Sequence, residues 1–320
     1  MKKTDVTALG ELLIDFTENG TSVQGNPLFE ANPGGAPCNV LAMLAKLGHK
    51  TAFIGKVGKD FFGEQLRDAI REVGICADSL CMDEEVHTTL ALVHTFPDGD
   101  RDFSFYRNPG ADMMLTEEEV PEDLIAGSKI FHFGTLSMTH EGVRAATKKA
   151  LDIAKENHVT ISFDPNLRPP LWDSLEEARE QVLYGLKYCD ILKISDNEIQ
   201  WLTGEQDFTD GVRWIGQRYT DIRLILVSMG KDGSRAYYGD AMVEVPARIN
   251  EKTIETTGAG DTFCGCVLHY ILEHGLDGLT QENLSEMLRF ANSAASLITA
   301  KKGALRVMPE EKEIIENLGK

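Results

Sequence analysis

The run Glu255-Thr-Thr-Gly-Ala-Gly-Asp-Thr-Phe263 sets an aspartate directly after two closely spaced glycines, and an apolar helical stretch through Val267, Leu268 and Ile271 follows. Gly258 and Gly260 allow close backbone approach, and successive N–H groups over 258–261 would face an anion from a helix's positive end. Asp261 would repel that anion unless it had a task of its own. Taking a proton from a hydroxyl that attacks phosphorus is such a task. Read alone, the run is equally a loop whose aspartate caps a helix. The chain contains neither GxxxxGK[ST] nor GxGxxG, so the P-loop and the dinucleotide fingerprint are both excluded.

Two further clusters carry polar chemistry. Pro33-Gly-Gly-Ala-Pro-Cys-Asn39 opens a helical stretch; Gly34 and Gly35 would let a polyol lie against backbone, and Asn39 offers both a donor and an acceptor. Asp164-Pro-Asn-Leu-Arg168 ends an apolar segment, with Arg168 long enough to reach a phosphate or a sugar oxygen. Each cluster alone is also ordinary turn chemistry.

The elements that must position these residues alternate. Short apolar segments at 6–10, 51–58, 129–134, 159–165, 191–195 and 224–230 are separated by helical spacing over 36–47, 61–73, 139–156, 174–188 and 207–218. Strand, helix, strand, repeated, predicts an α/β fold with an open, mostly parallel sheet and ligands at the strands' carboxyl ends. Residues 11–33 and 86–107 break this rhythm with alternating patterns, the second joined by a hairpin signal at Pro97-Asp-Gly-Asp100. They predict a small antiparallel lid on a single domain spanning 1–320.

The 320 residues carry 32 Lys+Arg against 51 Asp+Glu, a net charge of −19, which disfavours nucleic acid and anionic membrane as partners. A phosphate ligand would therefore need local compensation from backbone N–H groups, a few cations or Mg²⁺. The six cysteines, at 38, 76, 81, 189, 264 and 266, show no C-x₂-C pair and are expected to be reduced thiols. With Asp5 interrupting any signal-peptide pattern and no run of 18 apolar residues, a cytoplasmic protein is expected. Ser228 lacks the first glycine of GxSxG, and Trp172, Trp201 and Trp214 read as packing. Glu117–Glu119 reads as a helix's first turn, and 310–316 as a solvated helix face.

Taken together and in this order, the Gly34-Gly35 to Gly63 block, Asp164-Pro-Asn-Leu-Arg168 and Thr256-Thr-Gly-Ala-Gly-Asp261 resemble the carbohydrate and purine kinases related to ribokinase, the PfkB family. The resemblance extends from Gly10 to Ala304. Within the family, Phe105-Tyr-Arg-Asn-Pro-Gly-Ala-Asp112, the 163–172 stretch and Lys193-Ile-Ser195 are most similar to fructokinases. The resemblance implies a ribokinase-like three-layer fold and transfer of phosphate from ATP to D-fructose. Asp261 would be the catalytic base, with Gly258, Ala259, Gly260 and the Asp261 N–H as anion hole. It implies sugar contacts from Asp15, Gly34, Gly35, Asn39, Arg107 and Arg168. Nucleotide contacts would come from Ser228, Met229, Gly230 and Gly233, with Asn292 and Gly303 beside the base and Lys193 on a phosphate.

Two departures from the family pattern stand out. Ser195 replaces the usual Asn three residues before Glu198, the residue that would organise water around Mg²⁺. Glu255 stands where many relatives have Asp beside a monovalent-cation site, which puts K⁺ binding in question. The resemblance also implies a homodimer through the lid. Other readings are the same framework acting on ribose, a riboside or 2-keto-3-deoxygluconate, and a sugar-binding homologue without turnover. An NAD-dependent oxidoreductase is set aside for want of its glycines.

Overall fold

In a computed structural model, which describes residues 2–95 and 101–319, the short apolar segments become the strands of one large sheet. In chain order the strands are β1 (Thr4–Leu9), β2 (Leu13–Thr21), β3 (Pro27–Gly34), β4 (Thr51–Gly58), β5 (Ile75–Asp83), β6 (Leu90–Thr95), β7 (Arg101–Tyr106), β8 (Ser128–Gly134), β9 (Thr160–Asp164), β10 (Ile191–Ser195), β11 (Leu224–Ser228), β12 (Ser234–Tyr238) and β13 (Ala241–Val245). The helices are α1 (Ala36–Lys46), α2 (Phe61–Glu72), α3 (Glu122–Ala126), α4 (Glu141–Glu156), α5 (Leu175–Gly185), α6 (Asp196–Thr203), α7 (Phe208–Arg218), α8 (Ala259–His274), α9 (Gln281–Ile298) and α10 (Glu311–Leu318).

Among the described residues, nine strands pair in the order β13-β12-β11-β10-β9-β8-β1-β4-β5. All are parallel up to β11, and β12 and β13 close that edge antiparallel. Alternate residues of a strand face opposite sides, so Leu224 and Leu226 enter one core while Ile225 and Val227 enter the other. The first core is completed by α1, α2, α8 and α9, the second by α4, α5, α6 and α7, giving the three layers expected of the family. In the second core Phe133 and Phe163 stack at 4.4 Å between centroids, and α5 lies against them at Gly185, where a Cβ would come within 2.8 Å of Phe163.

The strand order reverses at β1, which lies between β4 and β8, so loops leaving the carboxyl ends of β1 and β8 diverge and leave a crevice. Over that crevice stands the smaller sheet, in the order β3-β2-β6-β7. Its outer pairs are antiparallel, β2 with β3 and β6 with β7, but the inner strands β2 and β6 run parallel. The strands within 11–34 and 90–106 thus form a small sheet of two antiparallel pairs joined by a parallel one. The reason is topological: β2 and β6 leave the large sheet after β1 and β5, which point the same way. The hairpin turn expected at Pro97-Asp-Gly-Asp100 lies outside the described residues. Among the described residues no helix is long and apolar enough to cross a membrane.

Candidate active site

The start of α8 is shaped by Gly258, which takes a left-handed conformation (φ 74°) and lies so close to Ala304 that a Cβ would sit 2.6 Å from that side chain. Both conformation and space demand glycine there. Ala259 N–H turns back to the Thr256 carbonyl (3.2 Å), and the first intrahelical bond runs from Thr262 N–H to the Gly258 carbonyl (2.8 Å). The N–H groups of Gly260 and Asp261 are left at the helix entrance with no acceptor inside the helix.

The Asp261 side chain is buried, and its Oδ2 accepts a hydrogen bond from Nδ2 of Asn39 at 2.8 Å. The two residues are 222 positions apart and meet because α1 and α8 pack closely: at Gly265 a Cβ would lie 2.7 Å from Cβ of Met43. Burial pushes the Asp261 carboxyl above its ordinary value, while the Asn39 bond and the charges of Lys193 and Arg168 pull against that rise.

A cavity of about 300 Å³ opens at this helix entrance, in the crevice where the strand order reverses. Gly258, Gly260 and Asp261 form one wall; Glu11, Gly35 and Asn39 form another; Asp15 and Phe105 reach in from the smaller sheet. Gly34 makes room for Asp15, since a Cβ there would lie 2.3 Å from Asp15 Oδ2; at Gly35 (φ 132°) a Cβ would lie 2.4 Å from the Glu11 carbonyl. Burial raises the Asp15 carboxyl to about 7 against the pull of Arg168, with Glu255 and Asp261 adding to the rise.

Cations line the opposite wall. Arg168 is steered by Asn166, which has the positive φ (45°) that asparagine tolerates and accepts from Arg168 Nη1 at 2.8 Å. Lys193 Nζ lies 2.8 Å from Asp164 Oδ2, and both side chains are buried. Burial alone would lower Lys193, but Asp164 and Glu198 outweigh it and keep the ammonium charged; burial lifts Asp164 to about 6. The arrangement joins a carboxylate able to accept a proton, free N–H groups at a helix's positive end and two cations around one small polar cavity.

Residues 3–311 match the pattern of the pfkB family of carbohydrate kinases. The chain belongs to that family. It is 40% identical over 317 residues to fructokinase-1 of Zea mays, a match covering 98% of each chain. The crystal structure of a fructokinase with bound ATP from Xylella fastidiosa superposes with a TM-score of 0.90 at 29% identity, covering 100% of this chain and 99% of that one. A fructokinase from Vibrio cholerae O395 in a fructose-, ADP- and calcium-bound form gives 0.88 at 28% identity, covering 99% and 100%.

Other residues singled out in this pfkB-family sequence fall in different places. Arg107 does not line the cavity: it is 7% exposed, ion-paired to Asp112 at 2.7 Å, and its remaining donors reach Thr139 Oγ1 (2.8 Å) and the Leu136 carbonyl (3.0 Å). Ser195 and Glu198 form a capping box at the start of α6, and Glu198 Oε1 also accepts from Leu167 N–H at 2.7 Å. Ser228, Met229, Gly230 and Gly233 gather at the end of β11, outside the cavity lining, with Met229 N–H bonded to the Gly233 carbonyl (2.8 Å). Asn292 sits behind them, accepting from Ser234 Oγ (2.9 Å) and donating to the carbonyls of Val245 and Pro246. Gly303 lies elsewhere, its N–H bonded to Glu255 Oε1 at 2.8 Å, in a small recess shared with Asp15 and Asn32.

Glu11 was not singled out from the sequence. It is 4% exposed, its Oε1 accepts from Ala36 N–H (2.9 Å) at the start of α1, and burial raises its carboxyl to about 7. Its signal is an acidic residue inside the otherwise apolar stretch that follows Gly10.

Proposed function

We propose that the protein is an ATP-dependent fructokinase, transferring the terminal phosphoryl group of ATP to the 6-hydroxyl of D-fructose. The observation that carries this reading is the first turn of α8. There Asp261 and the free N–H groups of Gly260 and Asp261 face one cavity with Asp15, Gly35 and Asn39. The likeness to fructokinases, including structures holding ATP or fructose and ADP, supports the choice of sugar.

Asp15 and Asn39 accept from and donate to sugar hydroxyls, while Gly34 and Gly35 let the ring approach backbone. Asn39 fixes one oxygen of Asp261, so Oδ1 faces the substrate hydroxyl and takes its proton as the bond to phosphorus forms. Transfer of this kind is governed by positioning and by neutralising charge on the moving phosphoryl group. Gly260 N–H, Asp261 N–H, Lys193 and Arg168 meet that charge locally, which reconciles phosphate binding with a net charge of −19.

The carboxylates beside Lys193 suit a hydrated divalent cation. Asp164 Oδ1 is buried without a partner, and the Glu198 charge bears on both Asp164 and Lys193. Glu198 and Asp164 would hold Mg²⁺, whose contribution when bound is to neutralise phosphate charge. Ser228, Met229, Gly230, Gly233 and Asn292 form the nucleotide side at the carboxyl end of β11. With Glu255 already tied to Gly303, K⁺ dependence is expected to be weak.

The chain acts as one kinase domain whose smaller sheet is the lid, and Leu28 and Phe29, exposed on β3, are its route to a homodimer in the cytoplasm. The deciding experiment measures ADP release with a panel of sugars under saturating ATP and Mg²⁺. Fructose should be preferred; robust turnover of ribose, a riboside or 2-keto-3-deoxygluconate without turnover of fructose would reassign the substrate. Sugar binding without ADP release would reject the enzyme reading.

A further inference from the structure

The far end of α8 carries a second cluster of ligand-type side chains. His269 and Glu273 are four residues apart and share one face of the helix. His49 meets them from the turn after α1. That turn is held firmly: Gly48, with φ 87°, donates to the Ala45 carbonyl (3.0 Å), and His49 N–H donates to the Leu44 carbonyl (3.1 Å), the paired bonds of a Schellman motif.

His49 Nε2 lies 2.7 Å from His269 Nδ1 and 4.0 Å from Glu273 Oε1, and the three ligand atoms lie within 4.8 Å of one another. We propose that His49, His269 and Glu273 form a binding site for one borderline divalent transition-metal cation, of the Zn²⁺ or Co²⁺ type, separate from the catalytic cavity. His269 is eight residues beyond Asp261 on the same helix, a separation of about 12 Å along its axis.

Four features favour a cation here. Two imidazoles and a carboxylate, with water in the fourth position, are a common donor set for such ions. Burial holds both histidines below their ordinary value, so they present neutral rings, the form that ligates. Asp5 Oδ2 lies 4.0 Å from His49 Nδ1, beyond hydrogen-bond reach, so it puts a negative charge on the side that Nδ1 faces when Nε2 is free. Phe290 stacks on His269 at 5.8 Å and backs its ring, while the half-exposed Glu273 marks the side open to solvent. A small ring rotation opens the 2.7 Å contact to the roughly 3.3 Å that two imidazoles take on one tetrahedral ion.

A plain hydrogen bond between the two histidines is the competing explanation, and a titration separates the two. Full-length protein is stripped with chelator, kept free of nucleotide and Mg²⁺, and titrated with Co²⁺ followed by optical absorption, then with competing Zn²⁺. One Co²⁺ per chain should bind at micromolar or lower concentration, with tetrahedral d–d bands and no thiolate charge-transfer band. His269→Asn should weaken binding by more than about 100-fold, the upper end of what losing a supporting partner costs. Glu273→Gln, a change on a half-exposed side chain, should weaken it about tenfold while leaving sugar-kinase turnover intact. Binding only at millimolar concentration would overturn the site, as would a thiolate band pointing to the exposed Cys76. Affinity unchanged in Glu273→Gln and in His49→Gln would overturn it even if His269→Asn failed to fold.

Discussion

The carboxyl edge of the large sheet and the base of the smaller sheet each bury one ion pair, and the two are used differently. Lys193 lines the cavity and meets Asp164 at 2.8 Å, and Asp164 keeps one buried oxygen without a partner. Arg107 and Asp112 meet at 2.7 Å within a wider network: Arg107 also reaches Thr139 and the Leu136 carbonyl, and Asp112 accepts from Thr89. A cation with donors left over beside a cavity can meet a substrate. Arg107, bonded to Asp112, Thr139 and Leu136, pins the end of β7 to the loop after β8.

The strongest challenge to this contrast comes from the base. Asp261→Asn should lower kcat by about 10²–10⁴-fold while sugar affinity, read by calorimetry, changes little. Near-normal turnover would remove Asp261 from the reaction. Arg107→Met should cost about 3–5 kcal/mol of stability, the usual result of leaving one partner of a buried pair alone. Its kcat, measured well below the melting temperature, should stay within about threefold of the parent, since its contacts are internal. A large kcat loss in the fully folded variant would make Arg107 a substrate contact after all.

Lys193→Met should show the reverse balance. Loss of a charge-assisted phosphate contact, about 1.5–3 kcal/mol, predicts a fall of about 10–150-fold in kcat/KM for ATP. Asp164, already raised to about 6, can take up a proton and limit the cost in stability. Melting curves and initial rates on the same preparations test both halves of this contrast.

The smallest effect concerns pH. Asp15 is raised to about 7, whereas the unfolded chain holds an ordinary aspartate near about 4. Below that lower value both states are protonated and the group is neutral toward folding. Between the two values the unfolded chain releases a proton that the folded chain keeps, so stability falls as pH rises, and the full loss is present above 7. Asp15→Asn without sugar should therefore melt with its parent at pH about 4 and be more stable by about 1–2 kcal/mol at pH about 8. A constant gap across pH would show that Asp15 is ionised throughout.

How much of this was legible in the sequence follows from how local each feature is. The strands at 51–58 and 191–195 and the turn at 258–261 carry their signals in contiguous residues, and they stand where the pattern put them. β5, at the edge of the sheet, alternates buried and exposed residues and includes Asp78, so no apolar run announced it. The β12–β13 hairpin was not read from the sequence, because its strands are half-exposed and weakly patterned. The bond between Asn39 and Asp261 depends on helices distant in sequence touching at Gly265. The fate of Arg107 depends on Thr139 and Leu136, residues no local pattern ties to it.

The amide of Asn39 also bears on the reaction run backwards. By microscopic reversibility, the oxygen that receives a proton from the sugar hydroxyl returns it when ADP and sugar phosphate recombine. A carboxylate held by one fixed donor at Oδ2 has a single oxygen for both directions. With Asp261 as the proposed base, loosening that grip would slow synthesis and reversal by the same factor. On the proposed mechanism, position 39 would set the pace of exchange between the two sugar pools and leave their equilibrium ratio untouched.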